Sequence, residues 1–450
     1  MKKNHNQTLE YVLAELPAFE HPRWQTVNDL IQLGWFFALI PKHVPGPKEQ
    51  TVDKKGVKHT SRIFPADEWE CPILAGDFLP CKTLPHIEAV KVKLWEEIQS
   101  QELRFSPEIK DTNTKFATAL QLITSLQIKE NNPVLPLNRE RKSTASDTVA
   151  PIHNKNNMYG SSIVHLYSPA LQYYCNKKFT VDGVKGTLNQ TPHQVTIMPT
   201  GGYLETVYHQ HYTVSTLFHG KKLWIVFPEN LENMRTLGGV LKKLSTGDGD
   251  AVHALWREQL RELRNGIVFV QHVGETVILP PFWPHMTMSI EASLSTTSYV
   301  TKSVSFPLRL KYMHLSILAN KMWPSDSQCQ EHTVAFVKEF ANHLCQIMKW
   351  EVEERQLATT KAQICEIWQG TRGRVTELLA SISDPEIRES LGRDIHQAFV
   401  YHLEQKAHGS KECSICKQQV LDMEAPDRVH DEAHLLGSTL EHHFLKQHWN

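Results

Sequence analysis

GKKLWIVFP, residues 220–228, and GETVILPPFWPHMTMS, residues 274–289, are the stretches on which the fold turns. In the first, a glycine turn opens a short run of aromatic and β-branched residues that stops at proline, the pattern of a buried strand. Alternate side chains of a strand share a face, so Lys222 can point inward beside Trp224 and Val226. In the second, a strand ends at a double proline, and His285, flanked by Trp283, begins the next element. Outward from these, SSIVHLY, HQVTIMP, YTVSTLFHG, GIVFVQHV and SLSTTSYVT repeat the signature between residues 160 and 303. One helical insertion, about Leu231 to Arg264, interrupts them. Many short strands with a single insertion predict a barrel or sandwich over a parallel α/β sheet.

Metal chemistry enters through His209 and His211, an i, i+2 pair on one strand face, with His285 lying 76 residues further on. A non-haem iron centre holds its metal from one side and leaves positions open for co-substrate and oxygen. Two ligands on one strand and a third from a distant strand meet that need. GKKLWIVFP resembles the glycine-lysine-aromatic strand of JmjC proteins, and GETVILPPFWPH resembles their segment carrying the second histidine.

That resemblance, over about 160–303, implies a double-stranded β-helix and Fe(II)- and 2-oxoglutarate-dependent hydroxylation or lysine demethylation of a protein, histone included. It makes His209, His211 and His285 the iron ligands. Lys222 becomes the anchor of the 2-oxoglutarate carboxylate, with Thr206 hydrogen-bonding the same molecule. The chain also departs from the family. His211 stands where the family has Asp or Glu, and an ungapped reading back from Lys222 puts Val207 and His209 at the ligand pair instead. Three imidazoles leave the metal one negative charge short, and Glu205, the nearby carboxylate, precedes His209 rather than following it. Two other classes therefore stand beside the oxygenase. One is a degenerate barrel kept as a protein-interaction module, the other a three-histidine cupin-like metalloprotein that does not use 2-oxoglutarate. In the plainest reading, His285 is a packed core histidine and His209 and His211 are half-exposed strand residues.

The whole chain is α+β, a JmjC-like barrel flanked by helical regions with a zinc finger-like tail. The expected divisions are a mainly helical region over 1–130, a linker over 131–157, the barrel over 158–305, a helical region over 306–405 and a zinc-binding segment over 408–450. HTVAFVKEFANHLCQIMKWEVEE, with Val334, Phe336, Val337, Phe340 and Leu344, carries the helical period. In the tail, Cys413 and Cys416 form a C-x-x-C pair, and zinc takes two thiolates and two imidazoles in a tetrahedron. His443 and His448 are the favoured partners, with His430 and His434 the alternative. The other six cysteines are scattered and read as reduced thiols. A net charge of −1 gives no global attraction to nucleic acid or membrane. MKKNHNQTLEYVLAEL lacks the apolar core of a secretory signal, so residence is expected to be intracellular, and nuclear by the family.

Overall fold

The computed structural model describes residues 8–16, 22–33, 36–38, 48–52, 58–62, 72–75, 92, 96, 104–105, 164–167, 187–191, 194–198, 200–245, 261–320, 326–349, 355–407, 413–417 and 440–449. Residues 106–130 of the expected helical region and the whole linker over 131–157 lie outside these residues. The chain divides into two compact units, Met1–Thr301 and Lys302–Asn450. Among the described residues no helix is long and apolar enough to cross a membrane.

The first unit carries two sheets. One runs β1 (Phe36–Ala38), β12 (Gly266–Gln271), β11 (Lys222–Val226), β14 (His285–Ser289) and β9 (Tyr203–Val207). The other runs β4 (Ile73–Ala75), β13 (Thr276–Leu279), β10 (Tyr212–His219), β15 (Ser293–Lys302), β8 (Gln194–Met198), β6 (Val164–Tyr167) and β5 (Arg104–Phe105), with β7 (Thr187–Gln190) against β15. A separate hairpin joins β2 (Lys48–Val52) and β3 (Lys58–Arg62). The central ladders are antiparallel, and β1 joins β12 in parallel.

Period-two alternation along β11 explains how the two sheets close on one another. Trp224 and Val226 point to one side, where Phe269 of β12 meets Leu74, Val277 and Leu279 of the other sheet in one apolar cluster. Leu223 and Ile225 point to the opposite side. There they pack with Met286, Met288 and Val268 under Val12, Val27, Leu30 and Ile31 from the helices Leu9–Glu15 and Pro22–Gln32. Both faces of β11 are thus buried, which is why KLWIV is apolar almost throughout, as strands covered on both sides are. The interface between the sheets is unusually polar. Trp224 Nε1 donates to Gln271 Oε1 (2.8 Å), and Gln271 Nε2 donates across to Ser215 O on β10 (3.0 Å). These bonds are needed because an unpaired buried indole or amide costs more than the bond itself gains.

The turn from β10 to β11 requires glycine. Gly220 has φ +79, and a Cβ there would lie 2.1 Å from the Ala292 carbonyl oxygen.

The second unit carries long helices Asp326–Lys349, Arg355–Ala380 and Pro385–Ala407. Val337, Phe340 and Leu344 are buried, on the face their spacing sets. Asp384 caps the last long helix through Oδ1, which accepts from the backbone N–H of Glu386 (2.9 Å) and Ile387 (3.1 Å).

Candidate functional site

The first candidate site lies where β9, β11 and β14 run side by side. On β14, His285 is paired with Val226 of β11 on one side and Val207 of β9 on the other. A residue directly opposite in an antiparallel ladder projects to the same face. Val207, Val226 and His285 therefore share the inner face, two residues along from Trp224 and Thr287. One extra residue on β9 bulges the ladder between its pairings with His285 and Thr287.

His285 is buried, and its Nδ1–H donates to the Trp283 carbonyl (2.9 Å). That bond fixes the tautomer and leaves Nε2 as the lone-pair nitrogen, the arrangement a metal-binding imidazole needs. Burial pushes the ring's pKa down to about 4, so it is neutral at physiological pH. His209 follows β9 in the loop before β10, its ring 5.1 Å from that of His285 and 4.6 Å from Tyr299. Its carbonyl accepts from the backbone N–H of Phe282 (2.8 Å), which ties the two loops together. Phe282 has φ +59, a left-handed conformation costing a side-chain-bearing residue about 1 kcal/mol. Its ring stacks on Tyr208 at 5.7 Å, so the strained turn of PPFWPH holds the His209 loop over the sheet.

His211 follows in the same loop and faces β15 beside Tyr299, the residue His209 touches. Its Nδ1 is hydrogen-bonded to Thr301 Oγ1 at 2.9 Å on β15. The ligand atoms of His209, His211 and His285 are not drawn into one compact cluster. Among the described residues the one such group of His, Cys, Asp or Glu side chains is in the tail. At the barrel the candidate donors are the imidazoles of His209, His211 and His285, with Val207 paired to His285 and no carboxylate in the set.

The two residues expected to hold an oxoacid are both inside. Lys222 is 3% exposed, and its Nζ donates to Ser295 Oγ (2.7 Å) across the sheets. Desolvation by burial lowers its pKa to about 7. Thr206 Oγ1 is buried and, among the described residues, has no hydrogen-bond partner. A buried cation-forming amine and an orphaned hydroxyl are groups that an acidic ligand would satisfy. Sequence reasoning did not identify Ser295 or Gln271, the partners that hold Lys222 and Trp224. Their signal, small polar residues alternating along a strand, is shared by many barrels.

The second candidate site is complete in its ligands. Cys413, Cys416, His443 and His448 bring their four ligand atoms within 4.8 Å of one another. Cys413 Sγ lies 3.4 Å from His448 Nε2, Cys416 Sγ 3.4 Å from His443 Nε2, and the two Nε2 atoms 3.3 Å apart. Residues 413–417 form a knuckle closed by Lys417 N donating to the Cys413 carbonyl (2.8 Å), with Lys417 at φ +62. Residues five apart would stand about 140° apart on an α-helix. The chain instead widens to a π turn over Leu445–Trp449, and this i→i+5 winding returns His448 to the side of His443. His430 and His434, the alternative pair, lie outside the described residues.

Two antiparallel sheets closed on a partly polar interior, with a histidine at a strand mouth, define a cupin-like double-stranded β-helix. More particularly, residues 205–300 match the family described as JmjC domain, hydroxylase, and the chain carries a JmjC domain there. No curated protein matches the chain.

Proposed function

We propose that the JmjC barrel of this chain is a catalytically degenerate scaffold that binds a protein partner, and that the tail holds structural Zn(II). The observation that carries the first part is the pairing of Val207 with His285. An isopropyl group cannot ligate a metal, and the other candidates, His209 and His211, bring only further imidazoles. Neutral imidazoles alone bind Fe(II) less firmly than two imidazoles and a carboxylate, and they supply no negative charge to the metal. A protein partner is favoured over nucleic acid because the chain's net charge is −1.

One observation favours the oxygenase reading in its place. Lys222 and the orphaned hydroxyl of Thr206 are the groups that would receive 2-oxoglutarate. In that case His209 and His285 would hold Fe(II), the metal and oxoacid would supply the oxidising chemistry, and a protein, histone among the candidates, would be hydroxylated or demethylated in the nucleus. This chain's own residues would then bind the acid, keep His285 neutral and exclude water from the barrel.

Anaerobic titration with Fe(II), followed by 2-oxoglutarate, separates the two. The scaffold reading expects no stoichiometric iron and no visible metal-to-oxoacid absorption in the native chain. It also expects the Val207→His, His209→Asp double variant to gain iron affinity by at least tenfold, because it restores a three-ligand face. Stoichiometric iron and the absorption band in the native chain would refute it.

A further inference from the structure

The zinc knuckle is surrounded by one helix of the bundle, Arg355–Ala380, through contacts a free-standing finger would not have. The Gln369 side-chain amide hydrogen-bonds Nδ1 of His448. Trp368 Nε1 donates to the His448 carbonyl (3.0 Å), and Arg372 Nη1 donates to the Gln447 carbonyl (2.5 Å). The Cys365 thiol meets Ser414 Oγ in the knuckle at 3.9 Å. Four residues, one helical turn after another along a single face, thus reach both halves of the ligand set.

Apolar packing runs the same way. The Trp368 ring is fully buried, with Phe399 at 4.4 Å, Trp449 at 6.1 Å and Phe444 at 6.4 Å. Phe444 adjoins the ligand His443 and packs on Phe399 at 5.2 Å and on His396 at 5.4 Å, both on the Pro385–Ala407 helix. The ligand-bearing turn therefore fills the space between two bundle helices, and its core is theirs.

We infer that Zn(II) at Cys413, Cys416, His443 and His448 docks the C-terminal segment into the helical bundle, with Gln369 and Trp368 as positioning residues for His448. This rests on the zinc reading of the tail and goes beyond the expectation of a zinc-binding segment over 408–450. Metal on Nε2 leaves the proton on Nδ1 of His448, so Gln369 turns its amide oxygen to accept it. Such a partner holds ring orientation and raises ligand basicity, and its loss weakens metal binding by about ten- to a hundredfold. The site closes tetrahedrally with four protein ligands and keeps no open position, which marks a structural zinc and not a hydrolytic one.

The test uses the full chain. Metal content is measured first, in the native protein and in a Cys413→Ser, Cys416→Ser double variant. One zinc in the former and none in the latter is expected, and any other result overturns the zinc reading and the docking with it. Given one zinc, hydrogen exchange is followed by mass spectrometry before and after chelation. Docking requires that peptides over 364–375 and 395–403 lose protection together with 440–449, while those over 333–344 lose less. Acceleration confined to residues after 408 would overturn the docking and leave the zinc reading standing. The Gln369→Leu variant adds a second readout, a chelator competition. Zinc affinity about tenfold or more below native supports the positioning role, and unchanged affinity refutes it.

Discussion

Replacing Lys222 with methionine should stabilise the barrel at neutral pH, and the gain should vanish in alkali. Lys222 is 3% exposed, and among the described residues its Nζ donates to the neutral hydroxyl of Ser295. Desolvation takes its pKa from 10.5 to about 7. At about 1.4 kcal/mol per pH unit, that displacement corresponds to a cost of roughly 4 kcal/mol at pH 7, as an upper figure. Between pH 7 and 10.5 the unfolded chain binds a proton at this amine that the folded chain does not. Stability of the native barrel must therefore rise with pH across that window, and the penalty is fully present below pH 7. Lys222→Met removes the amine, keeps most of the stem's volume, and should flatten that slope.

Urea unfolding with pulsed hydrogen exchange over residues 212–226 and 266–289, at pH values from 6 to 10, reads the barrel unit separately from the helical one. A variant more stable at pH 7 and equal to native near pH 10 is expected. A variant destabilised by the same amount at every pH would refute the reasoning. It would mean that Lys222 stabilises through its contacts and not that it carries a desolvation cost. The same pair of proteins also bears on function. If 2-oxoglutarate stabilises the native barrel and not the variant, the oxoacid pocket is real even where iron is not held.

Three further outcomes follow from local structure. Gly220→Ala forces a Cβ against the Ala292 carbonyl at a φ of +79, so it should cost roughly 3 kcal/mol or more and lower the melting temperature of the barrel. Asp384→Ala removes the cap of the Pro385–Ala407 helix and should cost about 1 kcal/mol in urea unfolding of the helical unit, with Asp384→Asn recovering most of it. Phe282→Ala removes the ring stacked on Tyr208 but keeps the strained backbone, so hydrogen exchange over 207–212 should speed up while β12 stays protected.

Periodicity made the barrel legible because each strand face has a distinct neighbour. Trp224 and Val226 meet the second sheet, Leu223 and Ile225 meet the N-terminal helices, and the alternation is written in KLWIVFP. Lys222 was legible as an inward-facing group for the same reason, Thr206 only through the family resemblance, and both are buried. What pattern could not supply was register. Whether Val207 or His209 faces His285 depends on how β9 lies against β14, and the one-residue bulge between its pairings sits in that ladder. A shift of one residue carries every side chain to the other face, and no local propensity records it. His211 likewise reads as a strand residue beside His209, yet its ring nitrogen is bonded to Thr301, 90 positions away.

The tail shows the reverse relation between spacing and geometry. Cysteines two apart from one another read directly as a knuckle, since a single turn brings them together. Histidines five apart do not read directly, because α-helical winding would separate them. The π turn over Leu445–Trp449 solves that separation, and a lone π turn is rarely retained without a function to hold it. Its stabilisation comes from contacts with Trp368, Gln369 and Arg372, which lie more than 70 positions earlier in the chain. The ligand set and the bundle face that receives it are therefore one structural unit. A substitution at Gln369 or Trp368 should register at the metal before it registers in the fold of the helices.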